Sequence, residues 1–364
     1  MAVKILHAAD FHLDSPFSSL SEEKAIQRRR ESRELLTELM DIAEKESVQV
    51  MLLAGDLFDS GLSYRETQEA MQAFLSGLKC EVFIAPGNHD YWSPRSPYAF
   101  LELPENVHIF RAQQPKCVEL PSLGCRVWGS AFTSPVSDDM LADFHPGETE
   151  LIDLMVLHAS IGGDRYCPIT EDEIAATGLD YLALGHVHAC SGIRKAGKVH
   201  YAYPGCLEAR GFDECGEKGY IIGTVEKGKC SLAFRPLAHR LYSEREIDLT
   251  GALSAADVIS ASVGEGEKDN IVRLTLKGEF SGKVDTDELT HLFEDKFFSL
   301  RIKDRTVPAS DLWAGVDEDS LRGLFLSSLK AKFDAAADER ERRIILSAAK
   351  YGVAALDGRE AWQP

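Results

Sequence analysis

Five short apolar runs in this chain break off into polar residues that can do chemistry. Residues 4–9 lead into Asp10-Phe11-His12-Leu13-Asp14, residues 48–54 into Gly55-Asp56-Leu57-Phe58-Asp59, and residues 80–85 into Pro86-Gly87-Asn88-His89-Asp90. Residues 151–157 lead into His158, and residues 179–184 into Gly185-His186-Val187-His188. Runs of this length and composition read as strands, and the almost unbroken apolar run at 48–54 requires cover on both faces of its sheet. Helical patterns over 22–45 and 63–78 separate the first three strands. The expected fold class is therefore α/β, with chemistry at the C-terminal strand ends, where open α/β sheets place it. Gly87 is expected to allow the tight turn that brings Asn88, His89 and Asp90 to that edge.

The helix over 22–45 carries Ile26, Leu35, Leu39 and Ile42 near helical spacing, widened by Leu36 and Met40. Arg28, Arg29, Arg30 and Arg33 lie on or beside this stripe. They read as a solvated face partnered by Glu31 and Glu34, with phosphate contact as the sharper alternative. Short strands are expected within 107–132, a polar loop over 133–149, and a hairpin of 220–225 with 230–234 about Lys227-Gly228. Beyond Leu237 the strand-end polar groups stop. Alternating strands and helices over 244–307 make a small α+β unit, and 311–357 reads as helix throughout. There Leu321, Phe325, Leu329 and Phe333 recur every four residues. Three segments are expected: 1–236, 237–310 and 311–364.

A formal net charge of −19 argues against a large nonspecific nucleic-acid surface. It does not exclude a nuclease, because bound divalent cations offset carboxylates locally. No run approaches the roughly 18 apolar residues of a membrane span. The stretch Met1-Ala2-Val3-Lys4-Ile5-Leu6-His7 is too short for a signal-peptide apolar region, so a cytoplasmic protein is expected. The eight cysteines are scattered without a CxxC pair, which fits buried thiols in a reduced compartment.

In a sheet fold, Asp10, His12, Asp56, Asn88, His158, His186 and His188 converge on one edge. Imidazole, carboxylate and amide donors without cysteine suit Mn, Fe or Zn rather than Ca. Asp56, with two oxygens, can bridge a pair of ions, and two divalent metals about 3.5–4 Å apart perform in-line displacement at phosphorus. His7, His108, His145, His200, His239 and His291 have no such placement and read as structural, with His7 pointing the other way along its strand.

The ordered set DxH, GDxxD, GNHD, a lone His and GHxH resembles the calcineurin-like metallophosphoesterases over about the first 235 residues. Within them, Ala9-Asp10-Phe11-His12-Leu13-Asp14, Gly55-Asp56-Leu57-Phe58-Asp59, and Tyr203-Pro204-Gly205 leading to Arg210, Phe212, Glu214 and Lys218-Gly219 look like the SbcD-like DNA repair exonucleases. The resemblance implies a four-layer α/β/β/α sandwich, a small α+β cap and a helical C-terminal tail. It implies two divalent ions, Mn2+ foremost with Fe2+ or Zn2+ next. One would be held by Asp10, His12, Asp56 and His188, the other by Asp56, Asn88, His158 and His186. It also implies His89 as a nonligand that meets the phosphate and protonates the leaving oxygen, with Asp59 paired to it and Asp90 behind the ligands. Implied partners are DNA and an SbcC-type SMC-like ATPase gripped by the tail, in a homodimer; packing of the tail on the cap is the alternative. Two rival readings stand beside this one. A phosphodiesterase or pyrophosphatase on a small nucleotide or lipid-linked substrate is favoured by the acidic charge. A noncatalytic subunit that keeps the metal cage is opposed by the intact His89 and Asp59.

Overall fold

The computed structural model describes residues 1–163, 165–264, 266–308 and 312–356. Asp311 and Asp357, the ends of the expected tail helix, lie outside the described residues, as do 309–310 and 358–364. The chain divides into two units. Met1–Arg245, Val263–Leu274 and Asp287–Ile302 form the first; Glu246–Ser262, Thr275–Thr286 and the chain from Lys303 form the second.

The first unit begins with β1 (Ala2–Ala8), α1 (Glu22–Lys45), β2 (Val50–Leu53), α2 (Arg65–Gly77), β3 (Glu81–Ile84) and β4 (Val107–Ile109). It continues with β5 (Lys116–Leu120), β6 (Cys125–Gly129), β7 (Ile152–His158), the short β8 (Ser160–Ile161) and β9 (Pro168–Ile169), and α3 (Glu171–Thr177). Then come β10 (Tyr181–Gly185), β11 (Arg194–Ala196), β12 (Val199–Ala202), β13 (Gly219–Glu226) and β14 (Lys229–Pro236). One sheet runs β14-β13-β1-β2-β3-β4, the other β11-β12-β10-β7-β6-β5. Because β1, β2 and β3 are parallel, and so are β7 and β10, their C-terminal ends line one edge in each sheet.

Alternate residues of each strand serve different layers. Leu6, Met51 and Ile84 pack outward under Leu35, Leu39, Met71 and Phe74 of α1 and α2. Ile5, Val50, Leu52 and Phe83 face inward against Val127, Leu154, Val156 and Tyr181 of the second sheet. Met155, Leu157 and Leu182 pack on the far side with Ile174 of α3. The result is the expected four-layer α/β/β/α sandwich. Each fully buried side chain of this kind contributes about 1.5–3 kcal/mol. Ser21 caps α1 with its hydroxyl toward Lys24 N, and Glu22 and Glu23 occupy the first turn, where the helix dipole favours acids.

Several expectations need correction. Ile26 is 55% exposed and off the packed stripe. Arg28 is not on a solvated face; it is fully buried, bound to Glu31 Oε2 at 2.8 Å and to Glu208. A long-range carboxylate from the segment after β12 makes that burial tolerable, and α1 periodicity carries no sign of it. Helix α3 was not anticipated, although Thr170 and Glu173 form a capping box that announces it.

Further along the chain come β15 (Tyr242–Asp248), α4 (Ala255–Ser262), β16 (Ile271–Phe280), α5 (Thr286–Phe293) and β17 (Ser299–Pro308), the strands ordered β15-β16-β17. In the second unit the tail is two helices rather than one, α6 (Leu321–Ala335) and α7 (Glu339–Leu356). Ala336 leaves helical geometry and Asp338 Oδ1 accepts from Glu341 N at 2.8 Å, starting a new helix. Gly323 and Leu326 are the buried residues of α6, Leu321 is 73% exposed, and Phe325 packs on Gly352.

His7 lies buried between the sheets. Its Nδ1 is 2.9 Å from the Tyr181 hydroxyl and its Nε2 3.1 Å from Leu184 O. Burial lowers its pKa from 6.5 to about 3. Between those values the unfolded chain holds a proton that the native chain does not, so the contribution of His7 to stability falls as pH drops through this window. At pH 7, 6, 5 and 4, urea unfolding of His7→Gln is expected to show a flatter pH dependence than the parent, by up to about 1.4 kcal/mol per pH unit. Parallel curves would show that His7 titrates normally.

Candidate metal centre

The loops that follow β1 and β2 are zipped together by backbone hydrogen bonds. Asp10 N donates to Gly55 O at 3.0 Å, His12 N to Asp56 O at 2.9 Å, and Asp59 N to Leu13 O at 3.0 Å. This pairing sets the side chains of Asp10, His12 and Asp56 beside one another. It also holds non-glycine residues at positive φ: 54° at Asp10, 43° at His12 and 51° at Asp56, with 107° at His186 on the second sheet. Each such conformation costs on the order of 1–3 kcal/mol and persists only where its surroundings over-determine it.

Close approach of the two sheets does the rest. His158 Nδ1 donates to Ala54 O at 2.9 Å, across the sandwich. A Cβ on Gly185 would stand 1.8 Å from the same carbonyl, so β10 can approach only with glycine there. Gly87 is needed for the same reason: its Cβ would lie 2.2 Å from Asp56 Oδ1. The expectation that Gly87 serves a special turn conformation is thus replaced by a packing requirement. The backbone N–H of His186 donates to Asp10 at 3.0 Å, tying the fifth cluster to the first.

Three overlapping donor groups result, each with its ligand atoms within 4.8 Å of one another: Asp10, His12 and His188; His12, Asp56 and His89; and Asp10, Asp56 and His158. Asn88 joins through Oδ1, 3.0 Å from His158 Nε2. His186 comes alongside by ring contact, 5.2 Å between centroids with His158, but is in none of these groups.

The chemistry of the set tests whether cations fit. His158 commits Nδ1–H to Ala54 O, so its Nε2 presents a lone pair to Asn88 Oδ1 at 3.0 Å and to Asp56 Oδ2 at 3.4 Å. His188 directs Nδ1 to Glu214 Oε1 at 2.7 Å, and His12 directs Nδ1 toward Asp59 Oδ1 at 3.2 Å. Their Nε2 atoms then face each other at 3.2 Å. Acceptor lone pairs opposed in a buried site repel unless a cation lies among them. Two donors at about 2.1 Å from one ion stand about 3.0–3.4 Å apart at octahedral or tetrahedral angles. Backbone and carboxylate partners on the far imidazole nitrogens are the usual orientation device of metal-binding histidines.

The electrostatics agree. Burial, reinforced by the charge of Asp56, raises the Asp10 pKa well above the carboxylate range. Burial opposes ionisation of Asp56 as well, but the imidazoles of His158, His12 and His89 outweigh it and hold its pKa low. Burial pushes His12 and His186 down to about 4, leaving both neutral and ready to bind near pH 7.

His89 is exposed, and its Nδ1 meets the backbone carbonyl of Asp59 at 2.9 Å, not the carboxylate. The Asp59 carboxylate turns to His12 and to Arg210 Nη1, 3.1 Å away. Asp90 stands behind the cluster. Its oxygens accept from Gly87 N at 2.8 Å, Leu57 N at 2.7 Å, Asp56 N and Phe58 N at 3.3 Å, and from the Tyr98 hydroxyl. Burial and the neighbouring Asp56 raise its pKa to about 6. The supports of His188 have no role that the sequence shows. Glu214 holds its imidazole, the buried Lys218 holds its carbonyl at 2.8 Å, and Arg210 braces Glu214 at 2.8 Å. The run Arg210–Lys218 is visible as a pattern, but nothing in it says which histidine it serves.

A family model for calcineurin-like phosphoesterase matches residues 3–190. The chain belongs to the calcineurin-like phosphoesterase family. It is 32% identical over 265 residues to the uncharacterized metallophosphoesterase YhaO of Bacillus subtilis, covering 68% of this chain and 63% of that protein. Over 275 residues it is 26% identical to the SbcD component of the nuclease SbcCD of Escherichia coli, covering 62% of this chain and 66% of the relative. Over 244 residues it is 26% identical to the DNA double-strand break repair protein Mre11 of Saccharolobus solfataricus, covering 60% of each. The chain thus spans just under two thirds of the length of these relatives. The donors of this phosphoesterase, from Asp10 to His188, all lie within the matched region. No helix among the described residues is long and apolar enough to cross a membrane.

The Asp90 clamp is open to direct measurement. Asp90→Asn replaces one acceptor oxygen with a donor among backbone N–H groups, and a loss of about 1–3 kcal/mol in urea unfolding is expected. An unchanged midpoint would mean that the loops after β2 and β3 hold together without it.

Proposed function

We propose that this protein is a two-metal-dependent DNA phosphodiesterase acting in DNA repair with an SMC-like ATPase of the SbcC type. The observation that carries the reading is the set of opposed lone pairs at His12, His188, His158, Asn88 and Asp56. The likeness to proteins named for the nuclease SbcCD and for Mre11 supports DNA as the substrate. Asp10, His12, Asp56 and His188 would hold one ion, and Asp56, Asn88, His158 and His186 the other, with Mn2+ the first choice for an oxygen- and imidazole-rich site. When bound, the ions supply charge stabilisation at the phosphoryl oxygens and acidify water.

The chain's own groups do the remainder. His89 is oriented by the Asp59 carbonyl through Nδ1, which leaves Nε2 to deliver a proton to the leaving oxygen. Asp59 acts on His12 through its carboxylate and on His89 through its backbone. Glu214, braced by Arg210, keeps the His188 ring turned so that Nε2 faces the donors.

A second reading is a phosphodiesterase on a small nucleotide. The net charge of −19 favours it, as does the pairing of Arg210 with carboxylates. Manganese-dependent digestion of linear duplex, hairpin and single-stranded DNA, run beside bis-nitrophenyl phosphate, separates the two. Hydrolysis of the small diester with every DNA left intact would overturn the nuclease reading.

Elemental analysis tests the ligand assignment. Asp56→Ala is expected to lose both ions and all activity, Asn88→Ala mainly one ion. Two equivalents retained in Asp56→Ala would exclude a bridging role. His89→Gln should keep both ions and lose about 10²–10⁴ in turnover on DNA. The loss should be smaller with a nitrophenolate leaving group, which scarcely needs a proton. Equal losses on both substrates, or release of an ion, would make His89 a ligand or a ground-state contact.

The tail is the proposed seat of the ATPase, since Leu321, Leu324 and Ile344 of α6 and α7 are 73%, 67% and 61% exposed. Ending the chain at Pro308 should preserve hydrolysis of bis-nitrophenyl phosphate and abolish co-elution with a coiled-coil ATPase in gel filtration. Undiminished co-elution would place that contact elsewhere.

A further inference from the structure

Beside the donor cluster, the loop after His12 and the segment from Arg210 enclose a cavity of about 590 Å³. That lies within the roughly 300–1,000 Å³ range of small-molecule sites. Its walls include Phe17, Ser18, Arg210, Phe212, Glu244 and Arg273. Cavity and donor cluster share Arg210, whose Nη2 is 3.0 Å from His188 Nδ1.

Both arginines of the wall are already neutralised. Arg210 is 3.1 Å from Asp59 and 2.8 Å from Glu214, and Arg273 pairs with Glu244. A phosphate in this cavity would therefore find carboxylates and no unpaired cation. An uncharged flat group with donors and acceptors fits the walls better. The Arg273 guanidinium lies 3.9 Å from the ring centre of Phe212, and its Nε is buried without a hydrogen-bond partner. Bases stack on aromatic rings and on guanidinium planes alike. Phe17, on the opposite loop, is held at φ 46°, a strained conformation for a bulky residue.

We propose that this cavity seats the nucleobase of the nucleotide whose phosphate lies at the donor cluster; the assignment rests on the phosphodiesterase reading above. A phosphodiester is held at its phosphate by the cluster whatever its flanking groups. The cavity adds recognition of one of those groups by stacking and by hydrogen bonds donated by Ser18 and Arg273 and accepted by Glu244.

The manganese-loaded protein is titrated calorimetrically with dAMP and with deoxyribose phosphate, which lacks the base. dAMP is expected to bind about tenfold or more tighter, and Phe212→Ala to bring the two within about twofold. Equal affinities in the parent, or an undiminished preference in Phe212→Ala, overturns the proposal. Phe212 also packs on Tyr242 at 5.1 Å, so Ser18→Trp, at an exposed position, is the second variant. It should fill the cavity and remove the preference for dAMP while leaving the affinity for deoxyribose phosphate within about twofold. A retained preference in Ser18→Trp counts against the site. Hydrolysis of bis-nitrophenyl phosphate by the parent without any preference for dAMP over deoxyribose phosphate sinks the base site alone. A preference for dAMP without hydrolysis sinks the phosphodiesterase reading and leaves the base site standing. Displacement of dAMP by a single-stranded oligonucleotide assigns the cavity to a base of a strand; its failure assigns the cavity to a free nucleotide.

Discussion

Asp10 and Asp56 are two buried carboxylates set among the same imidazoles, and much of the neighbouring structure is arranged around that burden. Buried charges survive only when paired or well hydrogen-bonded. Asp10 is met by the backbone N–H of His186, Asp56 by that of His89. Asp90, a third buried carboxylate nearby, turns its oxygens away into backbone donors and the Tyr98 hydroxyl. His158 and His188 turn their outer nitrogens to a carbonyl and a carboxylate, so their inner nitrogens face the carboxylates as acceptors. A cluster built in this way is a candidate site for divalent cations.

The geometry depends on backbone that is costly in isolation. Positive φ at Asp10, His12 and Asp56 is tolerated because the two loops share parallel hydrogen bonds that continue the pairing of β1 and β2. Gly185 and Gly87 let one sheet edge press against the other where a methyl group would collide. The strain is carried by the hydrophobic layers behind it, since the strands that deliver the loops are buried on both faces.

Several arginines are paired with carboxylates inside the protein. Arg28 binds Glu31 and Glu208, Arg240 binds Glu31, Arg126 binds Asp153, and Arg210 binds Asp59 and Glu214. A net charge of −19 argues against a large nonspecific grip on a phosphate backbone. On the proposed reading, recognition of a phosphodiester would fall to cations held at the cluster and to contacts with whatever flanks the phosphate. The proposed base site next to Arg210, with Phe17 and Phe212 in its walls and both its arginines paired to carboxylates, would supply such a contact.

The strand-end motifs were legible because buried strands and the turns after them are local. Apolar runs of a few residues, followed by Asp10-Phe11-His12 or Gly185-His186-Val187-His188, show in sequence where polar groups must cluster. The α/β class followed from the same pattern, and the four-layer sandwich from the family resemblance those motifs carry. Orientation across the fold was not legible. That Asp59 offers His89 its carbonyl and saves its carboxylate for His12, that Glu214 serves His188, and that Arg28 is buried against Glu208 each depend on contacts between distant segments. Helical periodicity likewise could not show the break at Ala336, which a capping aspartate two residues later makes favourable. Sequence by itself determined which residues reach the common edge, because alternation along strands is a short-range geometric rule. Only the tertiary structure decided which atom of each residue faces which partner, because that choice is made by burial and by hydrogen bonds that form once the two sheets have met.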